Sequence, residues 1–520
     1  MKCTKTRRSF LIQATSLSIG VGLMPSVSFS SIPTLYFDRD VLSSHPFLKK
    51  GKKQIFVDSE RVAKTQKIIR MVHPAQKFKE PVLMADIPWE QGAEYNGKKD
   101  RRIYIYGTVL RNPQTGQFQM WYNRLKTNYY ALSTDGINWH RPGLKQPGKN
   151  NKIELFNFHS PSIIEDSFET DPEKRFKAIG SVKSTISDED IQYLKTRFGG
   201  YDWYKGSSAY SAAYSPDGIN WKLYPLPIII GGDTITLAQD PETGEYLAFH
   251  KNKNRPDEKG RKVFLSVSKN MQDWTKPVLV MEADKTDHLR AQLLDGGTHA
   301  EIYNMSAFPY AGQWLGLITV FHRTGAPKVK GPGQSGHDGP IHVQLVHSRD
   351  GRNWKRCSDR FPAIGLGPFD YDSGSILGVC NSPVIVGDEM WVYYTAMTTT
   401  HGGYLPDKQM SIARAVWRLD GMVSMQAGTK EGMVETTSWR PEGKQLFVNA
   451  DVRGGHLLAE VLDSKGKVIR GYERENCISF TGSSTDRLIK WERMDMLPSN
   501  KSIRLRFYIM QGDLYSYKIA

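Results

Sequence analysis

Cysteine is scarce, with four in 520 residues, at positions 3, 357, 380 and 477. So few and so widely spaced, they form no disulfide framework, and none has the paired spacing of a zinc site. A long apolar run is also missing, so no mature helix is long enough to span a bilayer. Acidic residues are outnumbered, 54 against 70 basic ones, for a formal charge of +16. Yet no basic run is interleaved with aromatics, so nucleic acid is not an expected partner, and most lysines read as solvated surface. What the chain does have is 11% aromatic residues and 46 glycines, a composition suited to strands joined by wide turns.

The N-terminus reads as a leader. Thr6-Arg7-Arg8-Ser9-Phe10-Leu11 is followed by a moderately apolar stretch to Met24 and small residues to Ser30. That order predicts a twin-arginine signal over 1–30 and a periplasmic or secreted mature protein. Losing Lys2, Lys5, Arg7 and Arg8 would lower the formal charge from +16 to +12.

The rest is organised by repetition. Ser133-Thr-Asp135-Gly136-Ile-Asn138-Trp139 returns as Ser215-Pro-Asp217-Gly218-Ile-Asn220-Trp221 and as Ser348-Arg-Asp350-Gly351-Arg-Asn353-Trp354. A degraded copy is Ser268-Lys-Asn270-Met-Gln-Asp273-Trp274, and Leu419-Asp420-Gly421-Met422 keeps only the Asp-Gly. Glycine tolerates positive φ and aspartate accepts backbone hydrogen bonds, so each copy predicts a hairpin turn. One hairpin earlier stands a second phrase, Asn112-Pro-Gln-Thr-Gly116-Gln-Phe118, matched by Asp171-Pro to Phe176 and by Asp240-Pro-Glu-Thr-Gly244-Glu-Tyr246. Looser versions lie at Gly312-Gln-Trp314 and Asp388-Glu-Met-Trp391. Two hairpins per unit and five units predict an all-β, five-bladed propeller.

The expected organisation is a lead-in over 31–80, a propeller over 81–428 and a small C-terminal β-sandwich over 429–520. In the lead-in, Ile55-Phe-Val57 is a plausible strand and Arg61 to Met71 a short helix. The Gly/Pro/Lys stretch from Thr324 to Pro340 reads as a mobile rim loop.

Chemistry is expected where the innermost strands converge on the propeller axis. Asp233 follows Gly231-Gly232, and Glu301 lies just after Gly296-Gly297 in the next unit. Asp372 and Glu90 are further carboxylates near the predicted rim. Paired carboxylates in a pocket are what cleavage of a glycosidic bond requires, one as acid and one as nucleophile or base. The candidate catalytic residues are Asp233, Glu301 and Asp372, with Glu301 as the acid through a carboxyl raised by burial. Trp89, Glu90, His159, His299, Tyr303, Asn304, His322, Tyr371 and Asn381 are candidate substrate contacts. The Asp-Gly-Asn-Trp phrases, recurring on outer turns, read as structural.

This grammar resembles that of the five-bladed propeller glycosidases of the invertase–levanase and arabinanase–xylosidase superfamily (glycosyl hydrolase families 32 and 43). It is most similar to secreted bacterial proteins described as glycosyl hydrolase family 32 N-terminal-like. The resemblance spans propeller and C-terminal region, and implies an acid/base pair with a third, pKa-tuning carboxylate. The chain departs from the invertase pattern, lacking Asn-Asp-Pro-Asn-Gly, Arg-Asp-Pro and Glu-Cys, so neither sucrose or fructan activity nor any catalytic position carries over.

The leading expectation is a secreted glycoside hydrolase acting on a plant or algal oligo- or polysaccharide, an anionic one among the candidates. The alternatives are a non-catalytic glycan-binding propeller and a glycan phosphorylase, in which His322, Arg323, Lys328 and Lys330 would cradle phosphate. No metal or cofactor is expected, although the Asp-rich loops leave room for a structural calcium. The expected partner is a carbohydrate substrate.

Overall fold

The computed structural model describes residues 47–48, 50–144, 150–183, 187–198, 208–225, 227–251, 260–327, 329–357 and 360–520. The expected leader over 1–30 and residues 31–46 lie outside this set, as does Lys328. Among the described residues no helix is long and apolar enough to cross a membrane. Cys357, Cys380 and Cys477 are buried, and none of the three is in a disulfide.

The two sequence phrases punctuate the blades as their turn chemistry demands. In blade one, Val109–Arg111, Phe118–Arg124, Thr127–Ser133 and Lys152–Ile153 pair in sequence order. Blades two, three and four begin with His159–Glu165, Ile235–Gln239 and His299–Tyr310, each pairing outward with the strands that follow. Blade five begins with Ser375–Val379, followed outward by Glu389–Met397 and Met410–Arg418. Its outermost strand is Gln76–Lys77 from the lead-in, with Lys77 opposite Ala415. The propeller is thus closed by a strand made long before the blade it completes.

Alternation along the strands gives every blade two apolar faces. Neighbours on one strand part company: Trp121 joins a core shared with blade two, while Tyr122 joins one shared with blade five. Each neighbouring pair of blades encloses such a core. Nearer the axis, a ring of hydrogen bonds, four of the five through a Ser or Thr hydroxyl, ties each inner segment to the next. Thr108 Oγ1 donates to the Ile163 carbonyl at 2.6 Å. The Leu237 N–H donates to Ser162 Oγ at 2.9 Å, and Thr236 Oγ1 to the Met305 carbonyl at 2.5 Å. Ser306 Oγ donates to the Val379 carbonyl at 2.5 Å, and the Asn381 N–H closes the circle on the Gly107 carbonyl at 3.0 Å.

The repeated Asp-Gly-Asn-Trp turns are self-contained. Asp135 Oδ1 accepts from the N–H groups of Ile137 and Asn138, both at 2.8 Å, and Oδ2 accepts from Asn138 Nδ2 at 2.8 Å. Asp217 and Asp350 repeat the pattern, and Asn270 takes the place of the aspartate in blade three. Asp420, in the fifth copy, does something else. It accepts from Ser516 Oγ at 2.7 Å, from Lys53 at 3.0 Å and from the Tyr310 hydroxyl. With its carboxylate drawn away by the lead-in and the C-terminal domain, the turn has no fourth strand to launch.

The C-terminal region forms one nine-stranded sheet around its own core. Its 18-residue strand, Leu446–Asp463, pairs through its first part with Gly512–Ile519 and through its second with Ile503–Met510. The sheet begins at Val423–Ala427, not at residue 429, and it recruits three lead-in strands, Lys53–Ile55, Val62–Gln66 and Ile69–Val72. The stretch expected as a helix over 61–71 is therefore two strands, which pair not with each other but with Gly432–Thr436 and Val423–Ala427. Lys67 takes a φ of 52° at the turn between them, and β-branched Val62, Thr65, Ile69 and Val72 suit the flanking strands.

Candidate active site

Asp233 stands where backbone geometry is special. Gly231 has a φ of 153°, and a Cβ there would sit 2.7 Å from the Tyr210 ring and 3.0 Å from the Lys251 carbonyl. Asp233 itself has a φ of 91°, a conformation that is costly for any residue but glycine. Its N–H donates to Ser181 Oγ at 3.2 Å. Its carboxylate pairs with Lys251 Nζ at 2.9 Å and faces His159 Nε2 at 3.4 Å. The other ring nitrogen of His159 lies 3.3 Å from the Tyr104 hydroxyl.

Glu301, from the first strand of blade four, is 3% exposed and ringed by cations. Arg323 Nη1 lies 2.6 Å away and His299 Nε2 3.2 Å away, and Arg261 pairs with the other oxygen. Burial works to raise this carboxyl, but Arg261 and Arg323 outweigh it and hold it below the usual range. The expected raised acid is therefore a stabilised anion instead.

One aromatic ring joins the two clusters. The register slips between Ile302 and Asn304, making Tyr303 a bulge residue, and bulges re-aim side chains. Lys251 Nζ lies 3.7 Å from the centre of the Tyr303 ring, and Arg261 Cζ 5.1 Å from it. His401, held neutral by burial with a pKa of about 3, meets the Tyr303 hydroxyl at 3.3 Å. Leu377, likewise at a register slip in blade five, joins Tyr104, Tyr106, Tyr303 and Phe321 in the apolar lining of the axis.

The rim loop is tied across this mouth. Arg323 Nη2 lies 2.7 Å from His337 Nδ1, the Gly402 N–H donates to Asp338 at 2.8 Å, and Arg102 Nη1 reaches the Gly333 carbonyl at 3.2 Å. The expected mobile loop is thus fastened to blades five and one.

Asp233, Glu301, His159, His299 and Tyr303 come together, and the other candidates lie elsewhere. Glu90 is buried beside blade one, where Arg141 Nε reaches it at 2.9 Å and the Tyr122 hydroxyl also donates to it. Trp89 next to it donates to Asn151 at 3.0 Å. Asp372 is fully buried against Lys77 at 2.7 Å and the Tyr394 hydroxyl at 2.8 Å. Tyr371 stacks on Phe369 and donates to the Phe78 carbonyl. His322 stacks on His342 on the strand face opposite Phe321, its pKa lowered to about 4 by burial. Asn304 is buried next to the bulge. Asn381 belongs to the axial ring, accepting from Thr108 Oγ1 at 3.2 Å and donating to the Leu237 carbonyl.

Lys251, Arg261 and His401 escape a reading confined to the mouths of the inner strands. Because successive strands of a blade run antiparallel, the second strand ends, and the loop to the third begins, at the end of the axis where the first strand starts. Lys251 directly follows Tyr246–His250, and Arg261 precedes Val263–Ser268. A basic residue flanking that loop is the signal that would have found them. Among the described residues no three His, Cys, Asp or Glu side chains are grouped to hold a metal ion.

No protein-family model matches the sequence, and no curated protein matches it. Among solved structures, an N-acetylgalactosamine deacetylase from F. plautii is similar at 14% identity and a TM-score of 0.42, over 69% of this chain and 97% of that one. A glycosyl hydrolase from Bacteroides ovatus is similar at 12% identity and a TM-score of 0.39, over 66% of this chain and 92% of that one. A fructofuranosidase from Schwanniomyces occidentalis is similar at 9% identity and a TM-score of 0.37, over 86% of this chain and 98% of that one. Likeness at this level assigns neither chemistry nor substrate to the chain.

Proposed function

We propose that the axial funnel is the active site of an exported glycoside hydrolase. The observation that carries this reading is the meeting of two carboxylates, Asp233 and Glu301, from adjacent blades around one Tyr303 ring. Guanidinium groups do not give up protons, so Glu301 is fixed as an anion between Arg261 and Arg323. Its role is then nucleophile or base, or stabiliser of the positive charge that develops on the sugar. Asp233 is paired instead with a lysine and a histidine, both able to release a proton. The Asp233–His159 pair is the group suited to protonate the leaving oxygen, the reverse of the roles expected from sequence. Lys251, Arg261 and Arg323 outnumber the two carboxylates, and this residual positive charge suits an anionic sugar. A phosphorolytic reaction fits less well, because Arg261 and Arg323 are both already engaged by Glu301.

The test is turnover on a panel of acidic and neutral plant and algal glycans. Asp233→Asn and Glu301→Gln should each lower turnover by about a hundredfold or more while the melting temperature shows a folded protein. Near-normal turnover in either variant removes that residue from the chemistry. Loss of glycan binding in the absence of any wild-type hydrolysis would support the binding-module reading instead.

A further inference from the structure

The blade-one copy of the repeated turn breaks a rule the others keep. Trp221 and Trp274 donate their indole N–H to the carbonyls of Gly218 and Met271, both at 3.0 Å, and Trp354 donates to that of Gly351 at 2.9 Å. In blade one the matching carbonyl, Gly136, accepts instead from the Tyr393 hydroxyl at 2.7 Å. Trp139 Nε1 is left buried without a partner.

Trp139 lines a pocket of about 480 Å³ at the seam of blades five and one, within the range of small-molecule sites. Arg414 lines it as well and is 7% exposed. Its guanidinium carbon lies between two rings, 4.2 Å from the centre of Phe78 and 4.0 Å from that of Trp391. Arg261, Arg323 and Arg356, all largely covered, each have a carboxylate partner. Arg414 makes no hydrogen bond or ion pair among the described residues, and its Nε is wholly buried. Burying a guanidinium without an anion is unfavourable. Glu389 and Asp135 lie near enough to favour its charge, but Glu389 Oε2 accepts from Trp391 Nε1 at 2.6 Å, Asp135 is bonded within its own turn, and Glu80, on the pocket wall, does not pair with Arg414.

We propose that this seam pocket is a second carbohydrate site, separate from the funnel, which binds the carboxylate of a uronic-acid residue. The planar guanidinium matches the two carboxylate oxygens, and the Trp139 N–H supplies a third donor. Glu80 and the Asn138 carbonyl are acceptors for ring hydroxyls, and Phe78 and Val82 give an apolar wall. The proposal does not rest on the funnel being catalytic.

The test is titration calorimetry of the mature chain with methyl glucuronide and methyl galacturonide, against methyl glucoside and inorganic sulfate. Arg414→Met keeps the stacking volume, and Trp139→Phe removes only the N–H donor and the outer ring. A uronide should bind, and Arg414→Met should weaken it about tenfold or more, with a smaller loss in Trp139→Phe. The melting temperature of Arg414→Met should hold or rise, since the arginine has no hydrogen-bond or ion-pair partner to lose and methionine still fills the space between the rings. Equal binding of methyl glucoside and uronide overturns the proposal, as does unchanged uronide binding in Arg414→Met. Sulfate binding as tightly as the uronides reduces the pocket to an anion site and overturns the sugar assignment. Binding abolished by Asp233→Asn or Glu301→Gln but not by Arg414→Met places the uronide in the funnel and likewise overturns it.

Discussion

Lys77 and Asp372 meet at 2.7 Å across 295 positions of sequence, and both are buried. Burial raises the Asp372 carboxyl and lowers the Lys77 ammonium, and each is kept charged by the other. The same ammonium bonds the Gly365 carbonyl at 2.7 Å and that of Gly367, so one side chain fastens the closing strand to blade five.

Breaking that pair from one side should be severe. Lys77→Met leaves a buried carboxylate unpaired and is expected to cost about 3–5 kcal/mol in urea unfolding. The double variant Lys77→Met, Asp372→Leu should recover much of the loss. A single variant costing under about 1 kcal/mol would show that closure does not depend on this pair.

The funnel's charges set the direction of its pH dependence. In the proposed mechanism Glu301 acts as an anion, and its carboxyl is held low, so activity should persist as pH falls past the ordinary glutamate range and fail only below it. Removing one guanidinium with Arg323→Gln should move this acid limb of kcat/KM to higher pH. The alkaline limb, lost as the proton donor ionises, should shift in His159→Gln. Limbs that stay put in both variants would detach these residues from the proton steps.

The outer turns make a separate acid prediction. Burial opposes ionisation of Asp350, but hydrogen bonds from Asn353, Arg352 and Ser348 outweigh it and bring the carboxyl down to about 2. A depressed carboxyl stabilises the fold above its unfolded value and loses that contribution as pH falls toward the folded one. Asp350→Asn should therefore flatten the loss of melting temperature between about pH 4 and pH 2. Blade three, built on Asn270, already shows that the amide supports the turn. An unchanged slope would mean that the turn contributes nothing to acid stability.

Export is tested at the leader. Replacing Arg7 and Arg8 with lysine should trap precursor in the cytoplasm, seen as unprocessed chain in fractionation blots. Normal processing would point to another route.

Turn grammar made the propeller legible, because each phrase carries its own hydrogen bonds and needs no distant partner. The lead-in was not legible in the same way. Val62–Gln66 and Ile69–Val72 are strands only because Gly432–Thr436 and Val423–Ala427, more than 350 residues on, provide their edges. In the funnel, Asp233 and Glu301 announced themselves by the glycine pairs before them. Lys251 and Arg261 did not, since a basic residue beside a loop looks like any solvated one until the loop's destination is known. Asp372 and Glu90 show the converse, carboxylates of suitable type whose partners, Lys77 and Arg141, lie in other segments and engage them for structure.

The closing strand also dictates an order of assembly. During synthesis Gln76–Lys77 must wait, unpaired, until Met410–Arg418 has been made, and Lys53–Ile55 must wait for the very last strand, Gly512–Ile519. The ring of blades cannot close before Met410–Arg418 has been made, nor the terminal sheet before Gly512–Ile519. Cutting the gene at the junction near Asp420 would therefore not yield two proteins. It would yield a propeller lacking partners for its first strands and a sheet without its edges, each recoverable only by adding back the other.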